Sequence, residues 1–329
     1  MQIDIHSHVI PDRIVAAIAA NPKRFRARVE GEGSARKIIH DQGYVYPLFE
    51  EFRQVEAKLD SMDRKGIDIS VISPAPPMFY YWADADLALE VAGLVNDGVA
   101  DMVGARPERL RGMATVPMQH PDAAVAELER VVRNFGFKAV EIGTSIEGAQ
   151  LAEERFRPLL RRASELNVFV FAHPYYVGAK AGLENYYLTN LIGNPLDTTV
   201  MLANLMFSGR LDELPDLKIV LAHGGGFIPY QIGRLVHGHA VRSETNAISK
   251  SSPKDLLKRI YFDSLVFEPQ ALRYLIDLVG ADHVCIGTDA PFDMADNDPK
   301  ATIDAVPGMT PLERQCVCCG TALKLLCEG

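Results

Sequence analysis

Ile3-Asp4-Ile5-His6-Ser7-His8 is a short apolar strand that ends in two histidines one residue apart. Residues i and i+2 of a strand point to the same side, so both imidazoles can face one point in space, as a metal ion requires. A lone His-x-His is a weak signal. It gains weight when other ligands stand at the ends of other strands. Three further segments supply them: Phe171-Ala172-His173-Pro174, Leu221-Ala222-His223-Gly224-Gly225-Gly226 and Ile286-Gly287-Thr288-Asp289-Ala290-Pro291-Phe292.

Outward from that first strand, apolar runs rich in Val, Ile and Phe predict strands at 2–6, 67–73, 110–116, 138–142, 168–172, 218–222, 260–263 and 283–287. Amphipathic stretches at 51–65, 84–104, 122–134, 153–166, 197–209 and 268–279 predict helices between them. Pro121 and Pro269 fall in or near a first helical turn, where proline is tolerated. Continuous apolar strands alternating with helices imply a parallel sheet covered on its outer face. Eight such units are the count of a (β/α)8 TIM barrel, an α/β fold. The rival, an open doubly wound sheet, wants a glycine-rich phosphate turn after its first strand. His6-Ser7-His8 stands there instead.

One stretch breaks the alternation. Within 23–46, Phe25, Ala27 and Val29 alternate with charged residues, and Gly31-Glu32-Gly33 and Asp41-Gln42-Gly43 offer turns. This predicts a small antiparallel β insertion after the first strand, close enough to roof the site. With no internal repeat or linker visible, the expectation is a single domain, 1–329, carrying that insert. The 329 residues, 48% of them hydrophobic, can bury a sizeable core. A formal net charge of −9 and the lack of a basic run argue against a nucleic-acid partner. No apolar run approaches a membrane span, and the N-terminus lacks a secretory pattern, so the chain reads as cytoplasmic. The five cysteines, Cys285, Cys316, Cys318, Cys319 and Cys327, read as small buried thiols rather than a disulfide framework or a zinc site.

Functional loops of a parallel barrel gather at the C-terminal ends of its strands. His6 and His8 end the first strand, His173 the fifth and His223 the sixth, and Asp289 follows the eighth. Positions spread over the whole chain thus collapse onto one barrel mouth. Imidazoles with one carboxylate suit Zn²⁺, and also Mn²⁺, Fe²⁺ or Co²⁺; the competing reading is a polar core without metal. His6, His8, His173 and Asp289 are the expected ligands. His223 is then left to move protons, work that an imidazole pKa of about 6.5 suits. Lys138 stands at the start of the fourth strand rather than at its catalytic end, which favours one metal over two. Glu141 and Asp293 are weighed as supporting or substrate groups against structural roles. His40 lies in the insertion, near enough to reach substrate, but for it and for His120, His237, His239 and His283 the structural or solvated reading is preferred.

With these segments in place, the chain resembles the amidohydrolase superfamily. Within it, the resemblance is to the branch of aminocarboxymuconate semialdehyde decarboxylase and the resorcylate and carboxyvanillate decarboxylases. It runs nearly end to end, through Pro76-Pro77-Met78-Phe79, Val116-Pro117-Met118-Gln119, Phe207-Ser208-Gly209, Leu214-Pro215-Asp216-Leu217-Lys218 and Phe262-Asp263-Ser264. It implies one divalent metal, zinc or alternatively manganese, on His6, His8, His173 and Asp289, with His223 and Asp289 catalytic. It also implies a homodimer in which Arg234 reaches a substrate carboxylate in the neighbouring subunit.

The chain departs from the branch in places. Where the muconate enzyme has a second carboxylate-binding arginine, this chain has Tyr46; Arg36 and Arg53 are near in sequence but not at the matching place. A phenol has neither the charge nor the fork of a guanidinium. A pocket tryptophan is replaced at Tyr186 or Tyr187, and the usual Gly-Asn-Ala reads Gly320-Thr321-Ala322. The implied reaction is non-oxidative decarboxylation of a small unsaturated or aromatic carboxylic acid, with Trp82, Met78, Phe292 and Tyr186 as wall residues beside Tyr46 and Arg234. The runner-up is hydrolysis or hydration of a lactone, amide or alkene by the same parts. A metal-binding protein without catalysis is the third reading.

Overall fold

The computed structural model describes residues 1–175 and 182–328. Eight parallel strands follow one another in chain order around one sheet. They are β1 (Ile3–Val9), β2 (Ile69–Pro74), β3 (Leu110–Thr115), β4 (Ala139–Gly143), β5 (Phe169–His173), β6 (Ile219–Leu221), β7 (Tyr261–Asp263) and β8 (Val284–Cys285). The sheet closes on itself beyond β8. Asp4 bridges Ile286 and Ser7 bridges Ala290, with the Ile5 N–H donating to the Ile286 carbonyl at 2.9 Å and the His8 N–H to that of Ala290 at 2.7 Å. Helices run between the strands, and the fold is a (β/α)8 barrel.

The first strand is longer than its apolar run and carries an irregularity that positions the site. Asp4 pairs with Ser70 and Ser7 with Ile72, so β1 holds one residue more than β2 between these pairs, a β-bulge. Ile3 before the bulge and Ile5 within it pack inside the barrel with Val71, Phe169 and Phe171. Across the bulge the alternation changes phase: His6, within it, and His8, beyond it, turn inward, and Val9 packs outward with Ile72 and Val140. Six residues of sequence thereby give both an apolar barrel floor and two inward imidazoles. The helix Thr321–Leu326 closes the far end of the barrel, where Ala322, Leu325 and Leu326 meet Ile3, Phe169 and Val220.

A three-stranded antiparallel sheet, Ala27–Glu30, Lys37–His40 and Val45–Pro47, follows β1 after the helices Asp12–Ala20 and Pro22–Phe25. The helix expected at 51–65 is two, Glu50–Arg53 and Val55–Lys65, because Gln54 between them is extended (φ −106°, ψ 126°). All five cysteines are free; Cys285 and Cys318 are buried. Cys327 is exposed, contrary to the expectation of buried thiols, because it sits past the last helix in a left-handed turn (φ 60°). Among the described residues no helix is long and apolar enough to cross a membrane.

Candidate active site

His6, His8, His173 and Asp289 each offer a ligand atom, and these four atoms lie within 4.8 Å of one another. Asp289 Oδ1 is 3.2 Å from His6 Nε2, 3.1 Å from His8 Nε2 and 3.8 Å from His173 Nε2. The Nε2 atoms of His6 and His8 are 3.1 Å apart. The other ring nitrogen of each imidazole is held from behind. His6 Nδ1 donates to Asp263 Oδ2 at 2.7 Å, His8 Nδ1 meets Ser73 Oγ at 3.1 Å, and His173 Nδ1 donates to the Pro174 carbonyl at 2.8 Å. All three rings therefore aim Nε2 at one point.

This donor set fits a divalent metal. His173 Nε2 and Asp289 Oδ1 are buried and have no hydrogen-bond partner, which a folded protein rarely leaves so. Nitrogen ligands about 2.0–2.1 Å from an ion stand roughly 3.4 Å apart around a tetrahedron, close to the His6–His8 spacing. Burial holds His8 down to about 4 and His173 down to about 3, so both are neutral. Burial opposes charge on His6 as well, but Asp289 and Asp263 outweigh it and push His6 up to about 10. Burial works against the Asp289 carboxylate too, yet His6 and the other imidazoles keep it well below the usual carboxylate range. The proton held on His6 is one that a cation between these groups displaces.

Asp263 organises this site from below. Its Oδ2 accepts from His6 Nδ1 and, at 2.9 Å, from the His223 N–H; its Oδ1 accepts from the Gly224 N–H at 2.7 Å. One carboxylate at the end of β7 thus fixes a ligand ring on β1 and the backbone of the loop after β6. That loop needs fixing, because His223 is left-handed (φ 55°), a strained backbone for a non-glycine residue; Asp289 is too (φ 59°). Asp289 is held through its N–H, which donates to the His6 carbonyl at 2.8 Å, and through Thr288, whose Oγ donates to Asp4 Oδ2 at 2.7 Å. Burial pushes Asp4 up to about 6. Lys58 Nζ, also buried, donates to Ser7 Oγ at 2.8 Å and to the His8 carbonyl at 3.1 Å. The sequence assigned no role to Asp263, Asp4 or Lys58. The available signal for Asp263 was a carboxylate ending an apolar strand, the position occupied by His173 on β5.

His223 leans over the cluster with Nε2 3.5 Å from Asp289 Oδ2, and its Nδ1 has no protein partner. A cavity of about 490 Å³ opens above it, with His173, His223, Asp289 and Phe292 among its lining residues. Tyr46 and Asp293 also line it, as do Tyr175, Tyr187, Asn190 and Asn194. The remaining expected wall residues lie elsewhere. Met78 is fully buried in the apolar cluster under the small sheet, and Trp82 packs on Tyr80 with ring centroids 4.8 Å apart. Tyr186 is 88% exposed, and its neighbour Tyr187 takes the place at the cavity. Arg234 is exposed on the helix Ile228–Val241 and does not line the cavity. Glu141 is buried beneath the cluster, 3.8 Å from His8 Nδ1, and burial pushes it up to about 8. His120, His239 and His283 each meet a backbone carbonyl, those of Ala83, Ser249 and Ile260, and His237 is exposed.

The chain is similar to known proteins along most of its length. The family model described as amidohydrolase matches residues 3–326. A 2-amino-3-carboxymuconate-6-semialdehyde decarboxylase of Dictyostelium discoideum is 29% identical over 328 residues, covering 99% of this chain and 91% of that one. A gamma-resorcylate decarboxylase of a Polaromonas species is 31% identical over 260 residues, 72% of this chain and 76% of that one. Among solved structures, a dihydroxybenzoic acid decarboxylase from Polaromonas, with bound manganese and the inhibitor 2-nitroresorcinol, has a TM-score of 0.80 at 23% identity. That match covers 99% of this chain and 96% of the other, and is a likeness of fold.

Proposed function

The chain belongs to the amidohydrolase family, and from that premise we propose that it is a metal-dependent, non-oxidative decarboxylase of a small aromatic or unsaturated carboxylic acid. The observation that carries the reading is the meeting of His6, His8, His173, Asp289 and His223 at one barrel mouth, under a cavity of about 490 Å³, the size of a small-molecule site.

His6, His8, His173 and Asp289 are the residues that hold the metal. When bound, the ion supplies a Lewis acid that draws in and polarises an oxygen of the acid. Three imidazoles and a carboxylate favour Zn²⁺; Mn²⁺, the ion of the Polaromonas structure, is the alternative. His223 carries the proton. As CO2 leaves, the electron pair of the broken C–C bond stays on the substrate carbon, and the His223 imidazolium donates the proton that takes it up. Asp289 Oδ2, 3.5 Å from His223 Nε2, holds the ring over the cluster. Phe292 and Tyr46 face the body of the acid from the wall. The reading includes a cytoplasmic homodimer in which the exposed Arg234 of one subunit reaches the acid bound in the other. Tyr186, Trp82 and Met78 carry no contact to the acid in it.

The test is CO2 release from a panel of hydroxybenzoates and muconate-type acids, run beside lactone hydrolysis, with Zn²⁺ or Mn²⁺ supplied. Release of CO2 from at least one acid, lost on chelation and restored by metal, is the expected result. Lactone hydrolysis with no CO2 from any acid overturns the assignment in favour of a hydrolase.

A further inference from the structure

We infer that the cavity selects acids with one carboxylate and an uncharged polar substituent, and rejects acids with two carboxylates. This rests on the decarboxylase reading and adds the substrate class to it.

The floor and the upper wall of the cavity differ in charge. The metal ligands and His223 form the floor, and a first carboxylate has its cationic partners there. Away from the floor, no lysine or arginine lines the cavity among the described residues. The polar groups are the phenols of Tyr46, Tyr175 and Tyr187, the amides of Asn190 and Asn194, and the Thr189 hydroxyl. The charge on this wall is negative, at Asp293. A second carboxylate here stands near another carboxylate, and among the described lining residues of its own chain no cation meets it. Two arginines of this region, Arg53 and Arg26, are turned to other partners. Arg53 Nε donates to Asp12 Oδ1 at 2.6 Å, and the Arg26 guanidinium lies over the Trp82 ring, 5.5 Å from its centroid.

The wall is built for neutral hydrogen bonding. Tyr46 lines the cavity, and behind it stands His40, with ring centroids 6.0 Å apart; Tyr80 is 5.3 Å from His40. His40 is 2% exposed, and neither of its ring nitrogens has a hydrogen-bond partner; nor does the Tyr80 hydroxyl. These three atoms stand in one corner beside Tyr46 and outside the cavity lining, where a bridging water is what can link them to a ligand. Burial holds His40 down to about 4, so at neutral pH the corner offers one imidazole donor, one imidazole acceptor and phenols. A hydroxyl substituent facing Tyr46 suits these neutral surroundings; a carboxylate brings charge that none of the described groups there answers.

The holoenzyme is assayed with paired acids that differ by one carboxylate: salicylate against 2-hydroxyisophthalate, and 4-hydroxybenzoate against 4-hydroxyisophthalate. The expected kcat/KM is at least about 100-fold lower for the dicarboxylate of each pair. Tyr46→Arg narrows that ratio by at least about tenfold at unchanged metal content. Tyr46→Phe lowers kcat/KM for the hydroxylated acids more than for benzoate. Equal or better turnover of the dicarboxylates overturns the inference while leaving the decarboxylase reading intact. So does a dicarboxylate preference that vanishes in Arg234→Ala, because the missing cation then comes from the partner subunit. If no acid releases CO2, the decarboxylase reading fails, and selectivity is read from calorimetric binding of the same pairs. Tighter binding of the dicarboxylates is then the overturning result.

Discussion

Asp263 accepts hydrogen bonds from the His6 ring and from the backbone of His223, so metal binding and proton transfer share one support. In Asp263→Asn a neutral amide oxygen can keep both contacts, which share Oδ2, only by turning its NH2 towards the Gly224 N–H, and the flipped amide gives up both, so the His6 ring is held more weakly either way. Metal affinity measured by chelator competition should fall about 10–100-fold with the fold retained by circular dichroism. His223→Ala should separate the two roles, keeping full metal content while kcat drops about 10²–10⁴-fold. His40 gives a pH signature away from the metal. The unfolded chain takes up this proton near pH 6.5, the folded chain only near 4, so stability is full above 6.5 and falls as pH drops towards 4, by up to about 3 kcal/mol. Urea titrations at pH 7.5 and 5 should show a loss that is smaller in His40→Leu than in the wild type; equal losses would show that His40 is not the group. His6, His8, His173, His223 and Asp289 were legible because each follows an apolar strand and histidines in that pattern are rare. Lys58 was not, since a lysine on an amphipathic helix reads as solvated. Only the packed helix shows it buried against Ser7 and the His8 carbonyl.

At the scale of elements, β1 does two jobs through its bulge, and β8 is thinned to let it. Gly287 passes so close that a Cβ there would lie 2.6 Å from the Asp263 Cβ and 3.0 Å from the His6 Cβ. Gly287→Ala must therefore push β8 away from the His6–Asp263 pair or part the pair itself. Overpacking of this kind costs about 1–3 kcal/mol. Both thermal stability and metal content should fall, whereas an unchanged metal content at lowered stability would mean that β8 alone gives way. The eight barrel strands were readable because each is buried on both faces and so runs as an unbroken apolar stretch. The bulge was not, since an extra residue in Ile3–Val9 alters pairing with β2 without altering composition. The break at Gln54 escaped for a similar reason. Nothing in Glu51-Phe52-Arg53-Gln54-Val55 disfavours a helix, and the turn is imposed where the Ile10 N–H takes the Phe52 carbonyl at 2.8 Å.

At the scale of the whole molecule, the described lining of the cavity has no guanidinium, and in the proposed homodimer Arg234 of a neighbouring copy supplies it. Arg234 lies on the outer face of the helix Ile228–Val241, with Tyr230 (82% exposed), Gln231, Gly233 and His237 exposed beside it. An aromatic, an arginine and a glycine on one solvent-facing helix make a surface suited to a self-complementary contact, since aromatics and arginine are the residues enriched at the centres of interfaces. If the homodimer forms and Arg234 serves the partner's site, its role is confined to molecules that touch the charged end of the acid, and its loss should raise KM more than it lowers kcat. Sedimentation should give a dimer. Arg234→Ala and His223→Ala subunits, each impaired alone, should complement when mixed. Random pairing puts half of the dimers in the mixed state, each with one site carrying both native groups, so about a quarter of wild-type activity returns. A monomer in sedimentation, or a mixture no more active than its parents, would leave Arg234 a solvated helix cation and confine all substrate recognition to the cavity of a single chain.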